Sequence, residues 1–166
     1  MIRFPGSSVV LLALVASGCD TSQAPCRETC PDISGVYSIE STTPAGECGF
    51  SPYLLPPSVR LEQTRDGRGV LFHVIDPTTQ IEVPLSGDVY APESGEEGLL
   101  GSFRIDSRTT RLARSGSDQL VTLDVTVMGS VSQVEDRRVL TATVNTTDAA
   151  SNQGCTATLS VMGESR

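Results

Sequence analysis

Five cysteines, Cys19, Cys26, Cys30, Cys48 and Cys155, are the most chemically versatile residues of this chain. A thiol ligates metal, acts as a nucleophile or pairs as a disulfide, and spacing decides between these roles. The Cys26-x3-Cys30 pair has no second pair and no placed histidine to complete a four-donor set, so no metal site is expected. An odd count leaves one cysteine outside any disulfide framework. Without Cys19, the other four allow three pairings.

The inventory for catalysis is thin. His73 is the only histidine and shares a strand face with Leu71 and Ile75, while Val70, Phe72 and Val74 take the opposite face. No Gly-x-Ser-x-Gly turn accompanies it, so a hydrogen-bonded, partly buried histidine is expected rather than a Ser-His-Asp triad. Glu62 and Asp124 are the strand acids available for acid–base work, and both alternate to the outward face. The run Glu93-Ser94-Gly95-Glu96-Glu97-Gly98 lacks the Asp-x-Asp-x-Asp-Gly spacing that wraps calcium, and reads as a solvated hairpin tip. Arg104, Arg108, Arg111 and Arg114 form a basic cluster that either frames an anion site or lies along a solvated loop or strand. All twelve basic residues are Arg, which excludes lysine Schiff-base chemistry. Trp is absent and aromatics make up only 4%, against ligand binding by ring stacking. Neither catalytic residues nor a cofactor are expected.

The elements that position these residues follow from alternation, the period of a strand. Ile33, Gly35, Tyr37 and Ile39 share one face, and Val59, Leu61 and Gln63 another. Val70–Ile75 follows across the turn Arg65-Asp66-Gly67-Arg68-Gly69, where a glycine supplies positive φ. The same pattern recurs in Ile81/Val83/Leu85, Leu99/Gly101/Phe103/Ile105, Val121/Leu123/Val125/Val127, Leu140/Ala142/Val144 and Cys155/Ala157/Leu159/Val161. Pro84 cannot donate to a ladder, so its strand is expected to lie at an edge, to bulge or to end there. About eight antiparallel strands without a helix point to an all-β fold, a mostly up-and-down barrel, with a β-sandwich as the alternative.

A closed antiparallel barrel with an even strand number brings its first and last strands together. Cys48 follows the first strand and Cys155 begins the last, so Cys48–Cys155 is the expected bridge, leaving Cys26–Cys30 as a small loop.

The N-terminus has its own grammar. Arg3, the apolar run Val9–Val15 and the small residues Ala16-Ser17-Gly18 precede Cys19. The order of charge, apolar run and small-residue cleavage site is that of a secretory signal peptide. The apolar run is shorter than the roughly 20 residues that span a bilayer. Ala16-Ser17-Gly18-Cys19 resembles the lipobox of bacterial lipoproteins. That resemblance implies cleavage before Cys19, acylation of its sulfur and attachment to a membrane through the lipid. Plain secretion after signal cleavage is the alternative. The resulting division is a signal peptide over 1–18, a lipidated tether over 19–32 and a barrel domain over 33–166.

Within the domain, Gly35-Val36-Tyr37 resembles the Gly-x-Trp that opens the first strand of lipocalins, with Tyr in place of Trp. This resemblance implies an eight-stranded barrel that holds a small apolar ligand. The competing reading is a Tyr that plugs one end of a packed barrel. Hydrophobic content of 38% with 19% charged residues fits a globular domain. A net charge of −8 opposes binding to nucleic acid or anionic lipid surfaces. The expected protein is exported and anchored to the cell envelope, at the outer membrane or the periplasmic face of the inner membrane. It is a non-catalytic binding or envelope-interaction module with a protein partner, or a carrier of a small apolar ligand.

Overall fold

The alternating segments form eight strands in chain order. They are β1 (Gly35–Ala45), β2 (Ser58–Gln63), β3 (Gly69–Ile75), β4 (Glu82–Tyr90), β5 (Leu99–Leu112), β6 (Leu120–Val134), β7 (Arg137–Asp148) and β8 (Thr156–Ser165). The computed structural model describes residues 24–92, 97–150 and 155–165. Cys19, the signal segment 1–18 and residues 93–96 of the acidic loop lie outside the described residues. Each strand pairs antiparallel with its sequence neighbour, and β1 pairs with β8, from Tyr37↔Ser165 to Ala45↔Thr158. The fold is therefore all-β, a closed up-and-down barrel. The sandwich alternative is not formed.

The inward faces are those that alternation assigns. Tyr37, Val59, Leu61, Val70, Phe72, Val74, Phe103, Ile105, Val125, Val127 and Leu140 are buried in one core. Each fully buried side chain of this kind contributes roughly 1.5–3 kcal/mol. Phe72 and Phe103 meet with ring centroids 5.8 Å apart. Tyr37 is fully buried, and its hydroxyl donates to the Ile33 carbonyl at 2.9 Å. Large side chains thus fill this end of the barrel, as the plugging reading expects. Gly67 turns the β2–β3 hairpin with φ of +72°.

Two expectations need correction. Ile81 does not share the inward face of Val83 and Leu85. It is 60% exposed, and β4 begins one residue later, because Ile81 closes the β3–β4 turn through its carbonyl to Asp76 N–H. Leu99 also departs from the row of Gly101 and Phe103, because a register shift between Leu99 and Gly101 breaks the alternation. Leu100 packs on the core there instead.

Pro84 lies inside β4, opposite His73 of β3. Its position is explained by the other side of the strand. Val89 N–H donates to the Arg68 carbonyl at 2.8 Å, so odd-numbered β4 residues bond toward β3 and Pro84 faces β5. The β4–β5 pairing comprises only Asp88↔Arg104, Val89↔Phe103 and Tyr90↔Ser102. Pro84 therefore withholds a donor where there is no ladder, and β4 is locally an edge. The departure of β4 starts at Gly87. A Cβ there would lie 2.1 Å from the Arg104 carbonyl oxygen and 2.7 Å from Ile105 Cα. Only glycine lets the two main chains cross this closely.

Candidate functional site

The tether is rooted firmly on one pole of the barrel. Cys26 bonds to Cys30, and Cys26 N–H donates to the Val89 carbonyl at 2.8 Å. Gln63, at the end of β2, does most of the holding. Its carbonyl oxygen accepts from the amides of Ile33 and Ser34, and its amide donates to the carbonyls of Pro31 and Gly67. Alternation placed Gln63 on the inward face but carried no sign of this clamp. Cys19 precedes Cys26 by seven residues, a reach of at most about 25 Å.

Cys48 and Cys155 bond across the junction of β1 and β8 at the opposite pole, as the closed topology requires. The segment between β1 and β2 caps this pole. Phe50 packs with Ala113, Leu123 and Ala157, Ser51 N–H donates to the Ala113 carbonyl, and Leu54 bridges to Ile75. Four of the five cysteines are thus oxidised to disulfides, the mark of an exported chain.

The basic cluster is divided by the strand that carries it. Arg104 and Arg108 point outward and are neutralised, Arg104 by Asp106 at 2.7 Å and Arg108 by Asp124 at 2.6 Å. Hydrogen bonds from these guanidiniums hold the Asp106 and Asp124 carboxyls below the usual carboxylate range. Arg111 points inward and is only 7% exposed. It donates to the carbonyls of Ser51 and Leu112 and lies 5.1 Å from the centre of the Tyr53 ring. Arg114, in the β5–β6 turn, donates to the Cys48 carbonyl. The four arginines do not converge on one anion site. Two serve ion pairs along the wall, and two hold the capping segment.

His73 faces outward between two carboxylates and is only 8% exposed. Its Nδ1 lies 2.9 Å from Glu82, and its Nε2 lies 3.8 Å from Glu62. Arg60 reaches both acids, at 2.9 Å to Glu62 and 3.9 Å to Glu82. This network ties β2, β3 and β4 together on the outside of the barrel. It brings no hydroxyl or thiol nucleophile to the imidazole. The sequence placed Glu62 on the outward face and His73 on the face of Leu71 and Ile75, with no sign that Glu82 and Arg60 join them. Asp124, the other strand acid, is held by Arg108.

Among the described residues, no group of three or more His, Cys, Asp or Glu side chains is placed to hold a metal. A cleft of about 700 Å³ runs between the tether and β2, lined by Asp32, Ser34, Arg60, Glu62, Gln63 and Arg65. Asp32 in this cleft is tied to Ser34, whose hydroxyl hydrogen bond holds the carboxyl below its ordinary range. Its second oxygen lies 3.6 Å from Arg138. Beyond Arg104, β5 has no pairing with β4. A shallow groove lies over the paired strands β5 and β6, lined by Asp106, Ser107, Arg108, Asp124, Val125 and Thr126. No protein-family model matches the chain, and neither do any curated protein or solved structure.

Proposed function

We propose that this chain is an exported lipoprotein of the cell envelope, acylated at Cys19, whose barrel binds a partner rather than catalysing a reaction. The observation that carries the reading is the sulfur balance. Cys26–Cys30 and Cys48–Cys155 pair with each other, so Cys19 is the one cysteine outside the bridges. It is also the one that follows the small residues of the signal-like segment. A single acyl chain holds a protein only marginally at a membrane, and two or more hold it stably, so the reading requires multiple acylation.

Three features favour binding over catalysis. The thiols of the barrel are consumed in disulfides. The sole histidine is enclosed by Arg60, Glu62 and Glu82. The outward acids Asp106 and Asp124 are neutralised by arginine. Packing of Tyr37, Phe72 and Phe103 in the core favours a binding surface on the outside over an apolar ligand held within. Fractionation tests the anchor. The native chain is expected in the membrane fraction after high-salt washing, and Cys19→Ser is expected in the soluble fraction. A Cys19→Ser chain that stays with the membranes refutes the lipid anchor.

A further inference from the structure

Cys26, Cys30, Cys48 and Cys155 are oxidised to disulfides, so among the described residues the sulfur atoms left to oxidise are the thioethers of Met128 and Met162. A methionine in a globular domain ordinarily fills gaps in the core. The core of this barrel is built from Val, Leu, Ile, Phe, Tyr and Ala instead. Both methionines stand on the outer wall, Met128 46% and Met162 41% exposed. Met128 lies in β6 and Met162 in β8, with β7 between them. Register places Thr143 of β7 opposite Met128, and Thr141 of β7 opposite Met162. Ser130 of β6 and Ser160 of β8 complete the set, opposite Thr141 and Thr143 respectively. A shallow groove of about 520 Å³ has Met128 and these four hydroxyl residues in its lining. The Ser130 and Thr141 hydroxyls bond each other at 3.0 Å. Those of Thr143 and Ser160 are uncommitted among the described residues. On the other side of Met128, Arg104 is tied to Asp106.

We propose that Met128 and Met162 are sites of reversible oxidation by hydroperoxides, and that the hydroxyl-lined wall accommodates their sulfoxides without loss of the fold. In the step, a thioether lone pair attacks the outer oxygen of the peroxide. The S–O bond forms as the O–O bond breaks, the proton of the transferred oxygen passes to the leaving oxygen, and water or an alcohol departs. Sulfur loses two electrons and the peroxide gains them. A sulfoxide is polar, and inside a core its oxygen would be an unpartnered acceptor that disrupts packing. On this wall the oxygen meets water. At Met128 it also meets the Thr143 hydroxyl, a donor on the cross-strand neighbour, whose Cβ in such pairs is about 4.5–5.5 Å away. A methionine sulfoxide reductase drawing on a dithiol restores the thioether and releases water. The inference is independent of the anchor at Cys19 and of any partner of the barrel.

The test treats the native barrel, both disulfides intact, with hydrogen peroxide beside N-acetylmethionine as the reference. Intact mass is expected to rise by two oxygen atoms, and peptide mapping to place one on each methionine. Both are expected to oxidise within about tenfold of the reference rate. The urea midpoint of the oxidised chain is expected to coincide with that of the untreated chain. Thr143→Val separates a built site from mere exposure. It removes the hydroxyl opposite Met128, and its oxidised form is expected to unfold at lower urea than its own untreated form. Met128→Leu/Met162→Leu is expected to take up no oxygen. Oxidation slower than about a tenth of the reference rate overturns the sites. Oxygen uptake by the double variant also overturns them, since it assigns the reaction to other atoms. A lowered midpoint of the native chain on oxidation overturns accommodation by the wall. Equal midpoints for oxidised and untreated Thr143→Val overturn the part given to Thr143. Methionine sulfoxide reductases with dithiothreitol are expected to remove both oxygen atoms, and their retention overturns reversibility.

Discussion

Removing the Cys48–Cys155 bridge is expected to cost the barrel about a third or more of a typical domain's stability. The two cysteines are separated by 107 residues, nearly the whole span of the barrel. In the chain-entropy model, cross-linking a loop of that length lowers the entropy of the unfolded chain enough to stabilise the fold by about 4.8 kcal/mol. The Cys26–Cys30 loop spans only four residues, and the same relation gives about 1.9 kcal/mol. The two bridges therefore make an internal comparison within one protein. Domains of this size are stable by only about 5–15 kcal/mol. Cys48→Ser/Cys155→Ser is accordingly expected to lower the thermal midpoint by roughly 15 °C, and Cys26→Ser/Cys30→Ser by less than half as much. Urea unfolding followed by far-ultraviolet circular dichroism measures both. The long-range variant should also show a steeper denaturant slope, because its unfolded chain is freer to expand. Equal losses for the two variants would refute the reasoning. So would a loss below about 1 kcal/mol for the long-range pair.

Three further outcomes are expected. Gly87→Ala places a Cβ against the Arg104 carbonyl, where the β4 and β5 main chains cross, and should destabilise by about 3 kcal/mol or more in the same urea assay. Tyr37→Phe removes the buried hydroxyl that satisfies the Ile33 carbonyl and should cost about 1–2 kcal/mol, with the fold retained in near-ultraviolet spectra. Acid should weaken the fold. Asp32, Asp106 and Asp124 have carboxyls lowered by hydrogen bonds from Ser34, Arg104 and Arg108 respectively. Below pH about 4 the unfolded chain binds protons that the folded chain refuses. Their stabilisation is present above the ordinary carboxylate range and lost as pH falls through the lowered values. Urea midpoints at pH 7 and pH 3 test this, and an unchanged midpoint contradicts it.

Where apolar residues alternate without interruption, the strands were legible. Val121, Leu123, Val125 and Val127 lie on the inward side of β6, and Ala157 and Val161 on that of β8. The bridge between Cys48 and Cys155 was legible for a topological reason, since barrel closure brings the first and last strands together. The lower half of β5 was not. Its inward residues are Ser107, Thr109 and Arg111, so the period of two continues but its apolar signature vanishes. Arg111 thus read as part of a basic cluster, although it is buried under the segment that includes Ser51 and Tyr53. Pro84 announced an edge, a bulge or a strand end, and only pairing shows that it is a local edge that faces β5. The partners of His73 could not be read at all. Glu62, Glu82 and Arg60 meet it through the register of three strands, which single-strand periodicity does not specify.

The central claim is a disulfide-stapled barrel held to a membrane through Cys19, and an intact mass of the protein extracted from membranes tests it most directly. The expected value is that of residues 19–166 with added acyl groups and with four hydrogens lost to the two bridges. A mass that begins at another residue, or that begins at Cys19 without acyl groups, would contradict the anchor. A mass that retains the four hydrogens would contradict the bridges.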